Sequence, residues 1–512
     1  MKITRREFIK TSSLYGLGLL QALSPLAPKV VNSSADTAPN VIILLFDALS
    51  ARHMSLYGYE RETTPHMARF AERATVYHRH YAAGNFTSPG TASLLTGTYP
   101  WTHRAFQQAG VILRKLSDHN LFRLIDSPYQ TAGFAQNIWA DLFLYQFKKS
   151  LDVHIKSTAY SLDENIHYND GVWQNDPLIT FRAYEDFLEQ DYGIPGSLYF
   201  SLIDKLKSYL ANEIDFKEIR REYPRGIPTF IKYKLYFVLE QLFDGVAEEL
   251  LKLQKPFVGY FHLWPPHEPY VPNRRFIGIF DDGWSPAPKP THPLSTALPD
   301  EALKQSRRHY DEYLANVDAE FGQLYDRLQA DGLLNNSYLI VTSDHGETFE
   351  RGVGGHVTPL LYDPLIHIPL LISAPGQSAR QDIYSPTSCV DLLPTLLKIT
   401  DGSAPDWLEG SVLPGFGGNE ASHPPAYAIE AKKSPSVSPL TQGTFAMIDG
   451  EYKLIWYIGY PGYDDVCELY NITDDPEEQN DRSKTQPSIL QSMKTELQSK
   501  LAQRDRPFQT KA

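Results

Sequence analysis

Tyr338 to Glu347 reads YLIVTSDHGE and joins two different kinds of sequence. Tyr338 to Thr342 is apolar and β-branched, which predicts a strand buried on both faces of a parallel sheet. The next residues are polar, and Gly346 is expected to let the backbone turn away from the sheet. Asp344 and His345 then place a carboxylate and an imidazole at the carboxyl end of the strand, which favours a divalent metal or an anionic ligand. The alternative is an ordinary polar exit from a strand.

Asn40 to Phe46, NVIILLF, is a second uninterrupted apolar run, and Asp47 follows it. The run predicts another buried parallel strand. Because the carboxyl ends of parallel strands meet at one edge of a sheet, we expect Asp47 to lie near Asp344. Asp47 is therefore a candidate metal ligand, although an Asp after a strand is also a common helix N-cap.

Asn85 to Pro100, NFTSPGTASLLTGTYP, predicts a short helix. Ser88 is a suitable N-cap and Gly97 a suitable stop, so Thr87 is expected just before the helix amino terminus. Unpaired backbone N–H groups at that position favour an anion such as phosphate or sulfate. The Thr87 hydroxyl is a weak nucleophile unless a metal or a base lowers its pKa. Without such a partner the segment is an ordinary loop.

Composition limits the classes of function. The 512 residues carry a net charge of -13, so bulk electrostatics do not favour a nucleic-acid partner. An anionic substrate must therefore be held by a local positive site. The length predicts one large domain and a smaller one.

The amino terminus has the order of an export signal. Arg5 and Arg6 precede a short apolar stretch and then small residues, an arrangement that resembles the twin-arginine motif. We expect residues 1–35 to be this signal and the mature protein to be periplasmic or extracellular, or membrane-anchored if the signal is retained. The export machinery is thus an expected partner. Cys389 and Cys467 predict either one disulfide or two separate thiols.

A set of motifs gives this chain its resemblance to a known family. Asp47, TSPGTASLLTGTYP and Thr342 to Glu347 resemble the sulfatase family of the alkaline phosphatase superfamily. Further motifs recur in the family's order: Leu56 to Tyr59, Pro265 to Tyr270, Gly355-His356, Ile368 to Leu370, Val390 to Thr395, Tyr452 to Leu454 and Glu468 to Asn471. The resemblance implies an α/β fold with a large, mixed, mostly parallel sheet flanked by helices and a small carboxyl-terminal antiparallel sheet. It implies a catalytic domain over residues 36–404, with a divergent insertion at about 141–255, a linker over 405–425 and a subdomain over 426–512.

The chain departs from the family at the nucleophile. Sulfatases carry Cys or Ser in a C/S-x-P-x-R pattern and oxidise it to formylglycine, whereas this chain reads Thr87-Ser88-Pro89-Gly90-Thr91. No formylglycine is expected from a threonine. A Thr at this position is similar to the phosphoglycerol and phosphoethanolamine transferases of the same superfamily. The family's Gly-Lys-Trp-His stretch corresponds to Gln136 to Ala140, which lacks both Lys and His.

The resemblance implies a set of site residues. Asp47, Thr87, Asp344 and His345 are expected to hold one divalent ion, with Mn, Zn, Ca and Mg not distinguished. His267 and His356 are the two candidates for contacting the transferred group or protonating the leaving oxygen, and Gly352 to Gly355 predicts a flexible loop ahead of His356. His262, inside a predicted strand, is interpreted as a core histidine.

The expected function is a metal-dependent hydrolase of sulfate or phosphate esters, with phosphate esters and diesters favoured. The substrate class is an anionic ester of a glycan, a lipid headgroup or a small molecule. One alternative is a phosphoglycerol- or phosphoethanolamine-type transferase, and another is a catalytically silent relative that binds an anionic glycan or lipid. The basic part of the insertion, from Lys205 to Lys234, predicts either a membrane-surface or headgroup-binding patch or an ordinary solvated helix face.

Overall fold

The computed structural model describes residues 38–125, 127–162, 216–230 and 235–509. The predicted signal, residues 1–35, lies outside the described residues, and so does much of the basic segment of the insertion. The export prediction therefore stays a prediction. Within the described ranges, no helix combines the length and apolar character that a membrane crossing requires.

The described strands are numbered in chain order. They are β1 Asn40–Phe46, β2 Thr75–Tyr77, β3 His80–Tyr81, β4 Gln130–Ala135, β5 Val153–Ile155, β6 Thr229–Phe230, β7 Leu235–Tyr236, β8 Phe257–Leu263, β9 Ser337–Thr342, β10 Thr348–Glu350, β11 Val353–Gly355, β12 Leu370–Ser373, β13 Gln381–Ile383, β14 Thr387–Ser388, β15 Ala426–Glu430, β16 Gly443–Asp449, β17 Tyr452–Ile458 and β18 Val466–Asn471.

The described α-helices are α1 Pro65–Ala71, α2 Thr87–Thr96, α3 Pro100–His103, α4 Leu121–Leu124, α5 Ile138–Gln146, α6 Lys217–Glu222, α7 Leu239–Lys252, α8 Asp300–Ala330, α9 Asp363–Ile366, α10 Leu392–Ile399 and α11 Pro487–Asp505. Short 3-10 helices lie at Ala51–His53, Ser55–Tyr57, Arg114–Leu116, Lys148–Ser150, Arg274–Phe276, Leu333–Asn336, Cys389–Asp391, Glu420–Ser422 and Arg506–Phe508.

The central sheet has eight strands in the order β13-β2-β12-β9-β1-β8-β4-β5. Strand β1 pairs in parallel with both β8 and β9, whereas β12 runs antiparallel to its neighbours β9 and β2. A second sheet, β15-β16-β17-β18, is antiparallel throughout. The predicted fold class, with a mixed and mostly parallel sheet and a small carboxyl-terminal antiparallel sheet, is confirmed.

The side chains of β1 alternate between two cores, as they must in a strand covered on both faces. Val41, Ile43 and Leu45 pack into the core that includes residues of the carboxyl-terminal sheet. Ile42, Leu44 and Phe46 pack into the opposite core, with α7 and α8. Burial on both faces explains why β1 reads as an uninterrupted apolar run, and it places the carboxyl end of β1 deep inside the molecule.

The segment predicted as a linker is packed against the rest of the chain. Leu413 is fully buried, its backbone N–H donates to Thr395 Oγ1 at 2.9 Å, and the N–H of Ser411 donates to Asp391 Oδ1 at 2.8 Å. The domain boundaries themselves stay predictions. Cys389 and Cys467 are both free thiols.

Candidate active site

Asp47 and Asp344 lie together where β1 and β9 end. The two strands are adjacent and parallel, with Leu45 opposite Thr342, so the chain leaves the sheet at the same edge from both. Both carboxylates are fully buried. The exits are joined by Ser343, whose Oγ donates to Phe46 O at 2.7 Å, and by the Ala48 N–H, which lies 3.4 Å from Asp344 Oδ1.

Gly346 has a different role from the predicted one. Its φ is not among the positive values of the chain. A Cβ at this position would lie only 2.1 Å from the carbonyl oxygen of Pro364. Gly346 is therefore required because another segment of backbone passes against it.

His345 points its Nε2 at both carboxylates. Nε2 lies 3.3 Å from Asp47 Oδ1 and 3.7 Å from Asp344 Oδ2. Its Nδ1 is 2.9 Å from Gly346 O, and a proton donated there leaves Nε2 as the ring nitrogen that faces the site. Burial opposes a charge on the ring, but Asp344 and Asp47 outweigh it and raise the pKa of His345 to about 9.

His262 is fully buried, as its interpretation as a core histidine requires, but it also belongs to this cluster. It lies on β8 opposite Leu45 of β1, one residue before the end of the pairing. Its Nε2 is 3.1 Å from Asp47 Oδ2 and 3.7 Å from Asp344 Oδ2. On the other side of the ring, Nδ1 is 3.0 Å from the hydroxyl of Tyr260, which fixes the ring orientation.

The cluster fits a divalent cation. One ligand atom each from Asp47, His262 and Asp344 lie within 4.8 Å of one another, and Asp47 Oδ1 is buried without a hydrogen-bond partner among the described residues. Two carboxylates with imidazole nitrogens form a mixed donor set that divalent metals accept. Burial acts to raise the pKa of Asp47, but His267, His262 and His345 together lower it well below its usual range. Burial and the neighbouring Asp47 raise the pKa of Asp344.

Thr87 lies beside this cluster as the first residue of α2. The helix begins earlier than predicted, because Phe86 and not Ser88 is the N-cap. It ends at Gly97, which adopts the expected left-handed conformation with φ 62°. Gly90 allows the close approach of α2 to the exit of β9, since a Cβ there would lie 2.1 Å from Asp344 O. Thr87 Oγ1 is consequently 3.5 Å from His345 Nε2.

Two further polar residues complete this side of the site. Asn137, the N-cap of α5, donates from Nδ2 to Asp47 Oδ2 and to Thr87 Oγ1, the latter at 3.1 Å. The sequence did not predict this role for Asn137, although Asn137 lies in the Gln136 to Ala140 stretch that corresponds to the family's Gly-Lys-Trp-His stretch. Thr91, which stands where the family has arginine, is fully buried and its Oγ1 lies 3.4 Å from Asp344 Oδ2.

His267 and His356 lie on the more open side of the cluster. They are 8% and 6% exposed, whereas His345 is fully buried. Their ring centroids are 4.7 Å apart, and that of His356 is 4.4 Å from that of His345. Burial lowers the pKa of both rings. The structure thus brings together every site residue that was predicted from the sequence and adds His262 and Asn137.

The sequence model of the Sulfatase family matches residues 39–403, and that of the N-sulphoglucosamine sulphohydrolase carboxyl-terminal family matches residues 356–506. The first match covers most of the chain. This protein belongs to the sulfatase family. Its membership, its fold and the homologues described below make it a sulfatase-like ester hydrolase.

This sulfatase-family chain is similar to named relatives along most of its length. It is 23% identical to choline-sulfatase of Rhizobium meliloti over 472 residues, covering 86% of this chain and 83% of that protein. Its fold is similar to that of a phosphonate monoester hydrolase of Agrobacterium radiobacter, with a TM-score of 0.64 and 18% identity over 91% of this chain and 96% of the other. It is also similar to a protein solved with its substrate D-glucosamine-2-N,6-O-disulfate, with a TM-score of 0.61, 17% identity, and coverage of 92% of this chain and 98% of the other.

Proposed function

We propose that this protein is an exported, metal-dependent hydrolase of sulfate or phosphate esters, with phosphate esters and diesters favoured, and that Thr87 is its nucleophile. One observation carries the proposal: Thr87 Oγ1 lies at a helix amino terminus, 3.5 Å from His345 Nε2 and beside two buried carboxylates. Export is supported only by the pair Arg5-Arg6 and the apolar stretch after it.

Asp47, Asp344, His345 and Thr87 are the residues that would hold the metal, and His262 joins them by its position. A bound divalent ion supplies positive charge that favours the alkoxide form of the Thr87 hydroxyl and offsets the negative charge of the substrate.

The chain's own groups account for orientation and proton transfer. Asn137 Nδ2 donates to Thr87 Oγ1 at 3.1 Å, which directs a lone pair of that oxygen away from Asn137. Backbone N–H groups at the start of α2 are available to the oxygens of an anionic group bound in front of Thr87. Thr87 Oγ1, as the alkoxide left when its hydroxyl proton passes to solvent, bonds to phosphorus or sulfur while the bond from that atom to the leaving oxygen breaks, and His267 or His356 gives a proton to that oxygen. Water, or an acceptor alcohol, afterwards takes the group from Thr87.

The preference for phosphorus and for diesters rests on chemistry and charge. A threonine cannot yield the formylglycine aldehyde, which removes the family's route for sulfate hydrolysis. Thr91 replaces the family's arginine, and Gln136 to Ala140 carries neither Lys nor His. Buried carboxylates, by contrast, are close to the reacting position. A site with few fixed cations favours singly charged groups such as diesters over doubly charged monoesters.

The test is the intact mass of metal-loaded protein after brief incubation with bis-p-nitrophenyl phosphate, p-nitrophenyl phosphate or p-nitrophenyl sulfate. We expect an adduct of phosphoryl type that maps to Thr87, is absent from Thr87→Ala, and persists in Thr96→Ala. Thr96 is a matched control because it lies on the same helix and its hydroxyl donates to Ala92 O at 2.7 Å.

The other outcomes separate the alternatives. A sulfuryl adduct or turnover of the sulfate ester would place the chemistry at sulfur. Added glycerol or ethanolamine that captures the group in place of water would identify a transferase. Metal-independent binding of an anionic glycan or lipid, with no adduct and no turnover of any ester, would support the silent relative.

A further inference from the structure

A tight hairpin follows the candidate metal ligands and brings Glu347 against His356. Strands β10 and β11 pair Thr348 with Gly355 and Glu350 with Val353, so only two residues form the turn. Both turn residues have positive φ, 55° at Arg351 and 77° at Gly352, as the tight hairpin turn of type I′ requires. The next pair in this register is Glu347 and His356. Gly352 is thus a turn residue and Val353–Gly355 form strand β11, where the sequence predicted a flexible loop over Gly352 to Gly355.

The two side chains are in direct contact. Glu347 Oε1 lies 3.0 Å from His356 Nδ1, and Glu347 is fully buried. Because a carboxylate accepts hydrogen bonds, this contact makes Nδ1 the donor to Glu347 and leaves Nε2 for the other side of the ring. The ring centroid of His345 lies 4.4 Å from that of His356, and His345 Nε2 is in turn 3.5 Å from Thr87 Oγ1.

His356 is also held through its backbone. Asn85 Nδ2 lies within 3.1 Å of the carbonyl oxygens of His356, Thr358 and Leu360. Thr444 of β16 donates to Pro359 O at 2.6 Å, which fixes the same loop from the carboxyl-terminal sheet. His356 therefore has a defined position relative to Thr87, because Asn85 is only two residues from the proposed nucleophile.

His267 has a different partner. Its Nδ1 lies 3.0 Å from the backbone carbonyl oxygen of Glu268. That carbonyl oxygen belongs to the adjacent residue, so it orients the His267 ring only locally, whereas Glu347 reaches His356 from the opposite side of the hairpin. Of the two candidate acids, His356 is the one whose Nδ1 contacts a buried carboxylate.

We propose that Glu347 is a positioning residue that directs His356, and not His267, to protonate the leaving oxygen. This inference rests on the proposed function. As the bond between phosphorus or sulfur and the leaving oxygen breaks, its electron pair stays on that oxygen, which takes the proton from His356 Nε2. His356 becomes neutral and keeps its Nδ1–H hydrogen bond to the Glu347 carboxylate. His267 then contacts the transferred group without giving up a proton.

The test uses two diesters that differ in their p-nitro groups and therefore in how much the leaving oxygen needs protonation. Phenol is a poorer leaving group than p-nitrophenol, so diphenyl phosphate depends on the acid and bis-p-nitrophenyl phosphate does so much less. In metal-loaded protein we expect Glu347→Ala to lower kcat for diphenyl phosphate roughly 10- to 100-fold. For bis-p-nitrophenyl phosphate the loss should stay below about 3-fold, since only the general-acid contribution is removed. His356→Ala should give the same selective loss.

A double variant tests whether Glu347 acts through His356. Glu347→Ala should add no further loss in the background of His356→Ala, and Glu347→Gln, which retains an acceptor oxygen, should recover part of the diphenyl phosphate activity. Glu350→Gln is the matched control, because Glu350 lies in the same hairpin but pairs with Lys289 at 2.9 Å. In Glu350→Gln the ratio of the kcat values for the two diesters should equal that of the parent.

The failures of the two proposals can be distinguished. Equal loss of both diesters in Glu347→Ala, or losses that add to those of His356→Ala, would overturn the role of Glu347 while the Thr87 adduct still forms in the parent. If only His267→Ala loses diphenyl phosphate turnover selectively, His267 is the residue that protonates the leaving oxygen. Absence of both adduct and turnover in the parent would overturn the proposed function and this inference together.

Discussion

Asp47 and Asp344 are two buried carboxylates that repel each other, and the imidazoles around them determine how that repulsion is relieved. Proximity to Asp47 contributes to the raised pKa of Asp344. A buried pair of this kind is expensive unless protons, histidines or a cation compensate the charge. Asp47, Asp344, His262 and His345 therefore govern both metal binding and the stability of this edge of the sheet.

His262→Ala should lose most of the bound metal. The substitution removes a nitrogen that lies 3.1 Å from Asp47 Oδ2, and it also removes the partner of the Tyr260 hydroxyl. Loss of a metal ligand, or of a side chain that orients one, is expected to weaken metal affinity by about 10- to 100-fold. The measurement is metal content by mass spectrometry after dialysis against a weak chelator.

His103→Ala is the control for that experiment. His103 is also a fully buried histidine, and its Nε2 contacts Ser93 Oγ at 2.9 Å. The His103→Ala variant should have a lower unfolding temperature than the parent but the same metal content. Full metal content in His262→Ala would return this residue to the core role that its strand position suggested.

At the scale of elements, the register of the hairpin β10–β11 determines which side chain meets Glu347. Side chains alternate between the faces of a strand, so a shift of one residue would turn His356 away from the site. The positive φ values at Arg351 and Gly352 hold the turn to two residues.

One Gly inserted between Arg351 and Gly352 should separate Glu347 from His356. We expect turnover of diphenyl phosphate to fall while the adduct on Thr87 still forms from bis-p-nitrophenyl phosphate. Rates with the two diesters and the intact mass are the measurements.

The turn between β16 and β17 offers a matched insertion. Asp449 pairs with Tyr452 there, so this turn also has two residues, and both are exposed. A Gly inserted between Gly450 and Glu451 should leave both rates within about 2-fold of the parent, as for a surface change away from special features. Selective loss in this variant too would show that any hairpin insertion disturbs the site.

At the scale of the whole molecule, a buried ion cluster joins the central fold to the carboxyl-terminal sheet. Lys453 of β17 is fully buried, and its Nζ lies 2.9 Å from Asp363 and 2.7 Å from Glu478. Burial opposes ionisation of Asp363, but Lys453 and His367 outweigh it and lower its pKa to about 2. Burial and the negative charge of Asp363 raise the pKa of Glu478 to about 7, although Lys453 acts in the opposite direction.

Glu478→Gln should flatten the dependence of stability on pH. With a folded pKa of about 7 and an ordinary value of 4.5, Glu478 stabilises the folded chain below pH 4.5, and this contribution is lost as the pH rises through 7. Between pH 5 and 8 the parent should therefore lose up to about 3 kcal/mol that the variant does not lose. Urea unfolding midpoints across that range measure the difference.

Glu496→Gln serves as the control, because Glu496 lies on the outer part of α11, where its Oε1 accepts from Tyr427 at 3.2 Å. The unfolding midpoint of Glu496→Gln should change with pH as that of the parent does. Parallel profiles for the parent and Glu478→Gln would show that Glu478 is ionised across the whole range.

Much of this architecture follows from the sequence, and the gaps have physical causes. Uninterrupted apolar runs identified β1 and β9, and the geometry of parallel strands then placed Asp47 beside Asp344. His262 was missed because its role depends on β8 being the other neighbour of β1, which no local pattern reveals. Asn137 was missed because the sequence pattern of an N-cap residue does not show whether its side chain also contacts a site. The contact between Glu347 and His356 follows from a two-residue turn that Arg351-Gly352 only weakly suggests.

The hydrogen bond between Ser343 and Phe46 has a consequence for how the protein is made. It joins residues 297 positions apart, so β1 leaves the ribosome long before β9 exists. Until β8 and then β9 have been translated, β1 is an apolar strand whose unpaired edges can pair with other chains. Misassembly between nascent chains should therefore begin at β1, and a chaperone that covers Asn40–Phe46 until β9 has been translated would raise the yield of folded protein.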